Sequence, residues 1–165
     1  MLKVYCSMAD LPFGKLMEIY AQSNQEDKRN CESEGYQPVL AEQEFYAYLR
    51  QCFFALPSAR YFLWEEQGRA VSAVRCEGYR DGLLLTALET APDCRGKGYA
   101  TGLVKAVLQY LKEGKVYAHI RHDNQPSLAV HLRCGFTKAK SGARLLDGSY
   151  SRAYDTYMID LNVKI

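Results

Sequence analysis

The spacing of hydrophobic positions changes several times along this chain, and each change marks an element. Leu2 to Tyr5 reads as a short opening strand. Phe13, Leu16, Met17 and Tyr20 then recur at i, i+3, i+4 and i+7, which predicts a helix with one apolar face. Ser7 and Asp10 are its capping candidates and Pro12 falls in its first turn. From Gln22 to Pro38 the chain turns polar (QSNQEDKRNCESEGYQP), which predicts a long loop or weakly helical connection. A second amphipathic helix is expected from about Ala41 to Ala55, with Phe45, Leu49, Cys52 and Phe53 facing inward. Strand-like runs at Tyr61–Trp64 and Ala70–Val74 flank Glu66-Gln67-Gly68, the signature of a hairpin. Gly78 to Gly82 makes a further turn, so three antiparallel strands lead into the middle of the chain.

That middle, Leu83 to Leu111, carries the most information. A short apolar run (Leu83, Leu84, Leu85, Ala87, Leu88) predicts a buried strand, and Pro92 punctuates it. A glycine-rich turn follows, Arg95-Gly96-Lys97-Gly98-Tyr99-Ala100. Ala100, Leu103, Val104, Val107, Leu108 and Leu111 then fall at helical spacing, with Gly114 as the C-cap candidate. Val116–Ile120 is the next strand. Asn124 to Phe136 reads as a short helix that opens with Pro126 and ends at Gly135. Two last strands, about Phe136–Leu146 and Tyr150–Leu161, join through Asp147-Gly148. The expected order is β-α-α-β-β-β-α-β-α-β-β, an α/β fold with helices covering a mixed sheet.

Composition narrows the classes. A chain of 165 residues suits a single domain, 1–165, that can bury most of its apolar surface. Its net charge of +2 and lack of a basic run do not suggest nucleic acid as a partner. No apolar run approaches membrane-spanning length and the first residues lack a signal-peptide core, so no membrane is expected. The six cysteines are scattered without a C-x-x-C pair. They read as reduced thiols of a cytoplasmic protein, with no metal site. Thirteen tyrosines suit half-buried strand positions.

The glycine turn carries the chemistry. A helix start has N–H groups without intrahelical partners and a partial positive charge, so it attracts anions. Gly96 and Gly98 allow close approach to the backbone, and Arg95 and Lys97 add charge: the residues describe a diphosphate site. A P-loop string is absent. The dinucleotide fingerprint fails because Thr101 stands where its third glycine belongs. What does fit is Arg/Gln-x-x-Gly-x-Gly/Ala, filled by Arg95, Gly98 and Ala100. Downstream, Asn124, Ser127 and His131 share one helix face, followed by Gly135-Phe136.

These two motifs, in this order and setting, resemble those of the GNAT superfamily of N-acetyltransferases. The resemblance covers Leu83 to Phe136 in motif detail and the whole chain in element order. It implies a mixed, mostly antiparallel sheet of six or seven strands flanked by about four helices. It also implies an acetyl-CoA-dependent transfer of an acetyl group to a primary amine of a small molecule or peptide. Acetyl-CoA would lie with its diphosphate on Arg95, Gly96, Lys97, Gly98, Tyr99 and Ala100. Its pantetheine arm would run along Leu88 and Thr90 as an added strand does, contacting Asn124 and Ser127. A homodimer through the terminal strands is a further implication.

For the catalytic residues, Glu89 at the strand end is the general-base candidate, with His122 as rival. His119, inside a strand, reads as packed or surface. His131 stands where relatives commonly carry the tyrosine that protonates the departing thiolate. Imidazole, with a free pKa near 6.5, must be charged to act as that acid. A thiolate near 8.5 can also leave without one. The polar Gln22–Pro38 connection and the Asp147-Gly148 hairpin are expected to wall the acceptor side. The acidic residues of that connection (Glu26, Asp27, Glu32, Glu34) weakly favour a cationic acceptor. The alternative is a non-catalytic acyl-CoA-binding or sensing module.

Overall fold

A computed structural model describes residues 1–20 and 38–163. The chain builds one seven-stranded sheet: β1 (Leu2–Tyr5), β2 (Arg60–Glu66), β3 (Arg69–Tyr79), β4 (Gly82–Thr90), β5 (Lys115–Arg121), β6 (Thr137–Arg144) and β7 (Tyr150–Asp160). Their spatial order is β1-β2-β3-β4-β5-β7-β6. The helices are α1 (residues 13–20), α2 (Pro38–Tyr48), α3 (Tyr99–Leu111) and α4 (Gln125–Arg133). Element order and fold class agree with the sequence reading. The polar connection falls outside the described residues except for Pro38.

Neighbouring strands are antiparallel except β4 and β5, which run parallel because α3 carries the chain back across the sheet. Each face has its own core. Phe62, Val74, Leu85, Leu103, Val104, Val107, Val116 and Phe136 fill the α3/α4 side. Leu16, Ile19, Leu49, Phe53, Tyr61 and Leu63 fill the α1/α2 side. The amphipathic spacing of Leu103, Val104, Val107 and Leu108 therefore buries against the sheet, as an apolar stripe of that period must.

Three boundaries depart from expectation. The second helix starts at Pro38 and gives way at Leu49–Phe53 to a π-helical turn, where the Phe54 N–H donates to the Leu49 carbonyl at 2.9 Å. The wider i→i+5 winding keeps Leu49 and Phe53 buried and carries Cys52 outward, against its predicted inward facing. Helix α3 ends at Leu111, and its C-cap is Lys112 (φ 66°) rather than Gly114. Gly114 instead fastens the end of β7, its carbonyl accepting from the Leu161 N–H at 2.9 Å. At the helix α1 entrance, Ser7 Oγ donates to Asp10 Oδ2 at 2.7 Å instead of accepting from a helical N–H. The hairpin turn after β2 forms at Gln67-Gly68, both with positive φ, matching the twist of the flanking strands.

Candidate active site

Two features of the sheet open a cleft at its centre. The first is a bulge in β4. Ala73 pairs with Glu89 and Arg75 with Thr86, so Ala87 and Leu88 stand opposite Val74 alone. Ala87 takes φ 51°, a conformation uncommon for a residue with a side chain. The second is a parting of strands. Pairing of β4 with β5 ends at Leu85↔Ala118, while β5 continues to Arg121 against β7. Beyond Leu85 the β4 backbone turns an edge toward the gap.

The bulge is held from the other face. The Tyr20 hydroxyl donates to the Ala87 carbonyl at 3.0 Å and lies 2.9 Å from the Tyr61 hydroxyl. Tyr20 has one proton and gives it to the carbonyl, so Tyr61 donates to Tyr20. Both phenols stay protonated: burial pushes Tyr20 up to about 12 and Tyr61 well above the ordinary value. Beside the bulge, Ser72 Oγ donates to the Glu89 carbonyl at 2.8 Å and sits 3.0 Å from Thr90 Oγ1, fixing the strand end.

A cavity of about 640 Å³ occupies the gap. Leu88, Glu89 and Thr90 form one side, and Arg95, Gly96, Gly98, Tyr99 and Ala100 one end. Asn124, Ser127, Val130 and Arg133 of α4 close it opposite. Ten of the twelve residues expected at the site thus meet at one place. Lys97 and His131 do not. Lys97 is exposed and does not line the cavity. His131 is 3 % exposed, its ring 5.0 Å edge-on from Phe136, and Nδ1 donates to the Ser127 carbonyl at 2.8 Å. Burial lowers its pKa, so it rests neutral in the core. That is the opposite of what an acid needs. Of the other histidines, His122 Nε2 lies 3.2 Å from Asp155 and His119 packs on Tyr79. Neither lines the cavity.

The turn fits a diphosphate on its own geometry. Gly96 and Gly98 take φ 75° and 84°, and a Cβ on either would project into open space at the cavity's end. Gly98 caps α3 without a side-chain hydrogen bond, leaving the first N–H groups of a 13-residue helix for a ligand. Arg95 bridges turn and strand: its guanidinium donates to Glu89 Oε1 at 3.1 Å and to the Thr90 carbonyl at 3.2 Å. Asn124 caps its own helix, its Oδ1 accepting from the Ser127 N–H at 3.1 Å.

Sequence reasoning missed Tyr20, the Ala87 bulge and the lining role of Val130 and Arg133. Alanine gives no signal for positive φ. The α4 stripe could have been found: at about 100° per residue, Pro126, Val130 and Arg133 share a face that turns His131 toward the core.

With this geometry in hand, comparison with known proteins is decisive for the family. Residues 17–136 match the model of the acetyltransferase (GNAT) family. The chain belongs to that family. Its GNAT fold is shared with PaiA N-acetyltransferase from Thermoplasma acidophilum, solved in complex with coenzyme A. The match has a TM-score of 0.66 and 11% identity, over 97% of this chain and 99% of that one. A spermidine N-acetyltransferase variant from Vibrio cholerae matches with a TM-score of 0.62 and 20% identity, over 98% and 95%. No individually curated protein sequence matches the chain. Members of the GNAT family use acetyl-CoA. Among the described residues no helix is long and apolar enough to cross a membrane.

The hydroxyl relay makes a directional prediction. Tyr20→Phe leaves both the Ala87 carbonyl and the Tyr61 hydroxyl without a partner, and is expected to cost about 1–3 kcal/mol in urea unfolding. Tyr61→Phe leaves Tyr20 still donating to Ala87 and costs less. The reverse order contradicts the relay.

Proposed function

We propose that this GNAT protein is an acetyl-CoA-dependent N-acetyltransferase acting on a primary amine by direct attack on the thioester. The observation that carries the reading is the cavity between the parted ends of β4 and β5, with the glycine turn at one end and the β4 edge along one side. Acetyl-CoA supplies an activated acetyl group: the amine nitrogen bonds to the acetyl carbon, the carbon–sulfur bond breaks, and the thiolate leaves.

The residues divide the work. The α3 N-terminus, the Gly96–Gly98 backbone and Arg95 hold the diphosphate. The Leu88 and Thr90 backbone pairs with the pantetheine arm as an extra strand would. A β4 N–H directed by the bulge polarises the acetyl carbonyl. Asn124 and Ser127 contact the arm from α4. Glu89, one-quarter exposed at the strand end, takes the amine's proton directly or through water. In the structure Glu89 is paired with Arg95, so diphosphate competing for Arg95 loosens the carboxylate for that role. The thiolate, itself a fair leaving group, departs without His131. The buried position of His131 also favours the second reading, a non-catalytic acyl-CoA-binding module.

Calorimetry with CoA, ATP and NAD, followed by thiol release from acetyl-CoA with an amine panel, tests the reading. CoA alone is expected to bind, and free thiol to appear only when an amine is present. CoA binding without amine-dependent thiol selects the module, and equal binding of all three ligands removes the CoA assignment. Glu89→Gln is expected to lower kcat by about 10²- to 10⁴-fold. The loss is largest at lower pH, where more of the acceptor is ammonium. A full-rate variant across pH reassigns the base.

A further inference from the structure

The α1/α2 face of the sheet carries polar groups that the fold does not satisfy. Directly paired residues of antiparallel strands point to one face, so Arg75 lies beside Thr86, and Ala73 beside Glu89 past the bulge. Among the described residues, Arg75 Nε, Glu77 Oε1, Thr86 Oγ1 and His119 Nε2 are buried on this face without a hydrogen-bond partner. Native structures leave few such groups, and these sit on three adjacent strands.

Arg75 is the informative one. Its guanidinium carbon lies 5.3 Å from the Tyr48 ring centre, 5.7 Å from Phe53 and 5.9 Å from Phe45. The three rings hold the cation by their faces and fix its place without accepting from its five N–H groups. Among the described residues Arg75 forms no ion pair and donates no hydrogen bond. The nearby carboxylates do not serve it. Glu89, which pairs with Ala73 across the bulge, is bound to Arg95. Glu77, two residues along β3, is 4 % exposed, and burial pushes its carboxyl toward the neutral acid while the Arg75 charge opposes this only in part.

This cation stands close to the proposed chemistry. It is two residues from Ala73, the partner of Glu89, about 7 Å along a strand. It is also near enough to Tyr20, which holds the bulge, to act on that phenol electrostatically together with Glu89. A planar, permanently charged fork with unused donors is matched by a carboxylate, which accepts two parallel N–H bonds. A polyamine would bring like charge to it.

We propose that Arg75 anchors a carboxylate of the acceptor, so that the acceptor is a small amine of amino-acid size carrying its own carboxylate. The proposal rests on the acetyl-transfer reading above and narrows its substrate class. Phe45, Tyr48 and Phe53 act as positioning residues that hold the guanidinium.

Two measurements test it. In the first, acetyl transfer is compared for the twenty amino acids, their amides and spermidine. In the second, N-acetyl amino acids and their amides are titrated into the CoA-bound protein by calorimetry, which needs no turnover. Each is run on wild type, Arg75→Lys and Arg75→Met, the last keeping the aliphatic packing. The expected result is at least a tenfold preference of wild type for one or more acids over the matching amides. That preference falls in Arg75→Lys and is lost in Arg75→Met, with CoA affinity unchanged in both variants. Equal handling of acids and amides, a preference for spermidine, or no binding of any acid overturns the proposal. So does a preference that survives Arg75→Met, or a variant that no longer binds CoA. If wild type acetylates amines without favouring acids, the acetyltransferase reading stands and only this proposal falls. If CoA itself does not bind, that reading falls first.

Discussion

The site depends on one local irregularity, the two-for-one mismatch at Ala87-Leu88 in the fourth strand. A regular strand would alternate its side chains and keep its ladder to β5 through to Thr90. The bulge resets the alternation, so Thr86 and Glu89 share a face although three residues apart. It also turns the strand away from β5, whose pairing ends at Ala118. The cavity exists because those two strands separate. The cost of a left-handed alanine is met by packing around it, chiefly the Tyr61–Tyr20 hydroxyl relay on the Ala87 carbonyl and the Ser72 contacts on the strand end.

Charge is distributed around that mismatch in a consistent way. On the cavity side, Arg95 ties the glycine turn to Glu89 and the Thr90 carbonyl, coupling the turn to the strand end. On the α1/α2 face, Arg75 is held by three rings, with no ion-pair partner among the described residues. Glu89 pairs in register with Ala73, two residues from Arg75, and its carboxylate is engaged by Arg95. In the proposed function, cofactor binding at Arg95 and proton transfer at Glu89 are therefore parts of one arrangement.

How much of this was legible in the residues follows from what each element needs. The helices and strands announce themselves because their apolar periods are clean, and Gly96 and Gly98 announce the turn because their backbone angles require glycine. The bulge had no such marker, since its positive φ falls on alanine. Tyr20 looked like one more apolar residue of a helix face, and its hydroxyl bond is tertiary. The misassigned His131 shows the limit of motif spacing. Asn124 and Ser127 mark one edge of the α4 lining, but the face runs through Pro126, Val130 and Arg133, and His131, rotated well away from that stripe, packs in the core against Phe136.

The central claim is that the freed edge of β4 and the glycine turn receive one ligand together. Amide hydrogen exchange on the full chain, with and without saturating CoA, tests it most directly. The account predicts joint protection of the Leu88–Thr90 and Gly96–Thr101 amides, with the β6–β7 hairpin unchanged. Protection of the turn without the strand edge, or of neither, would contradict it.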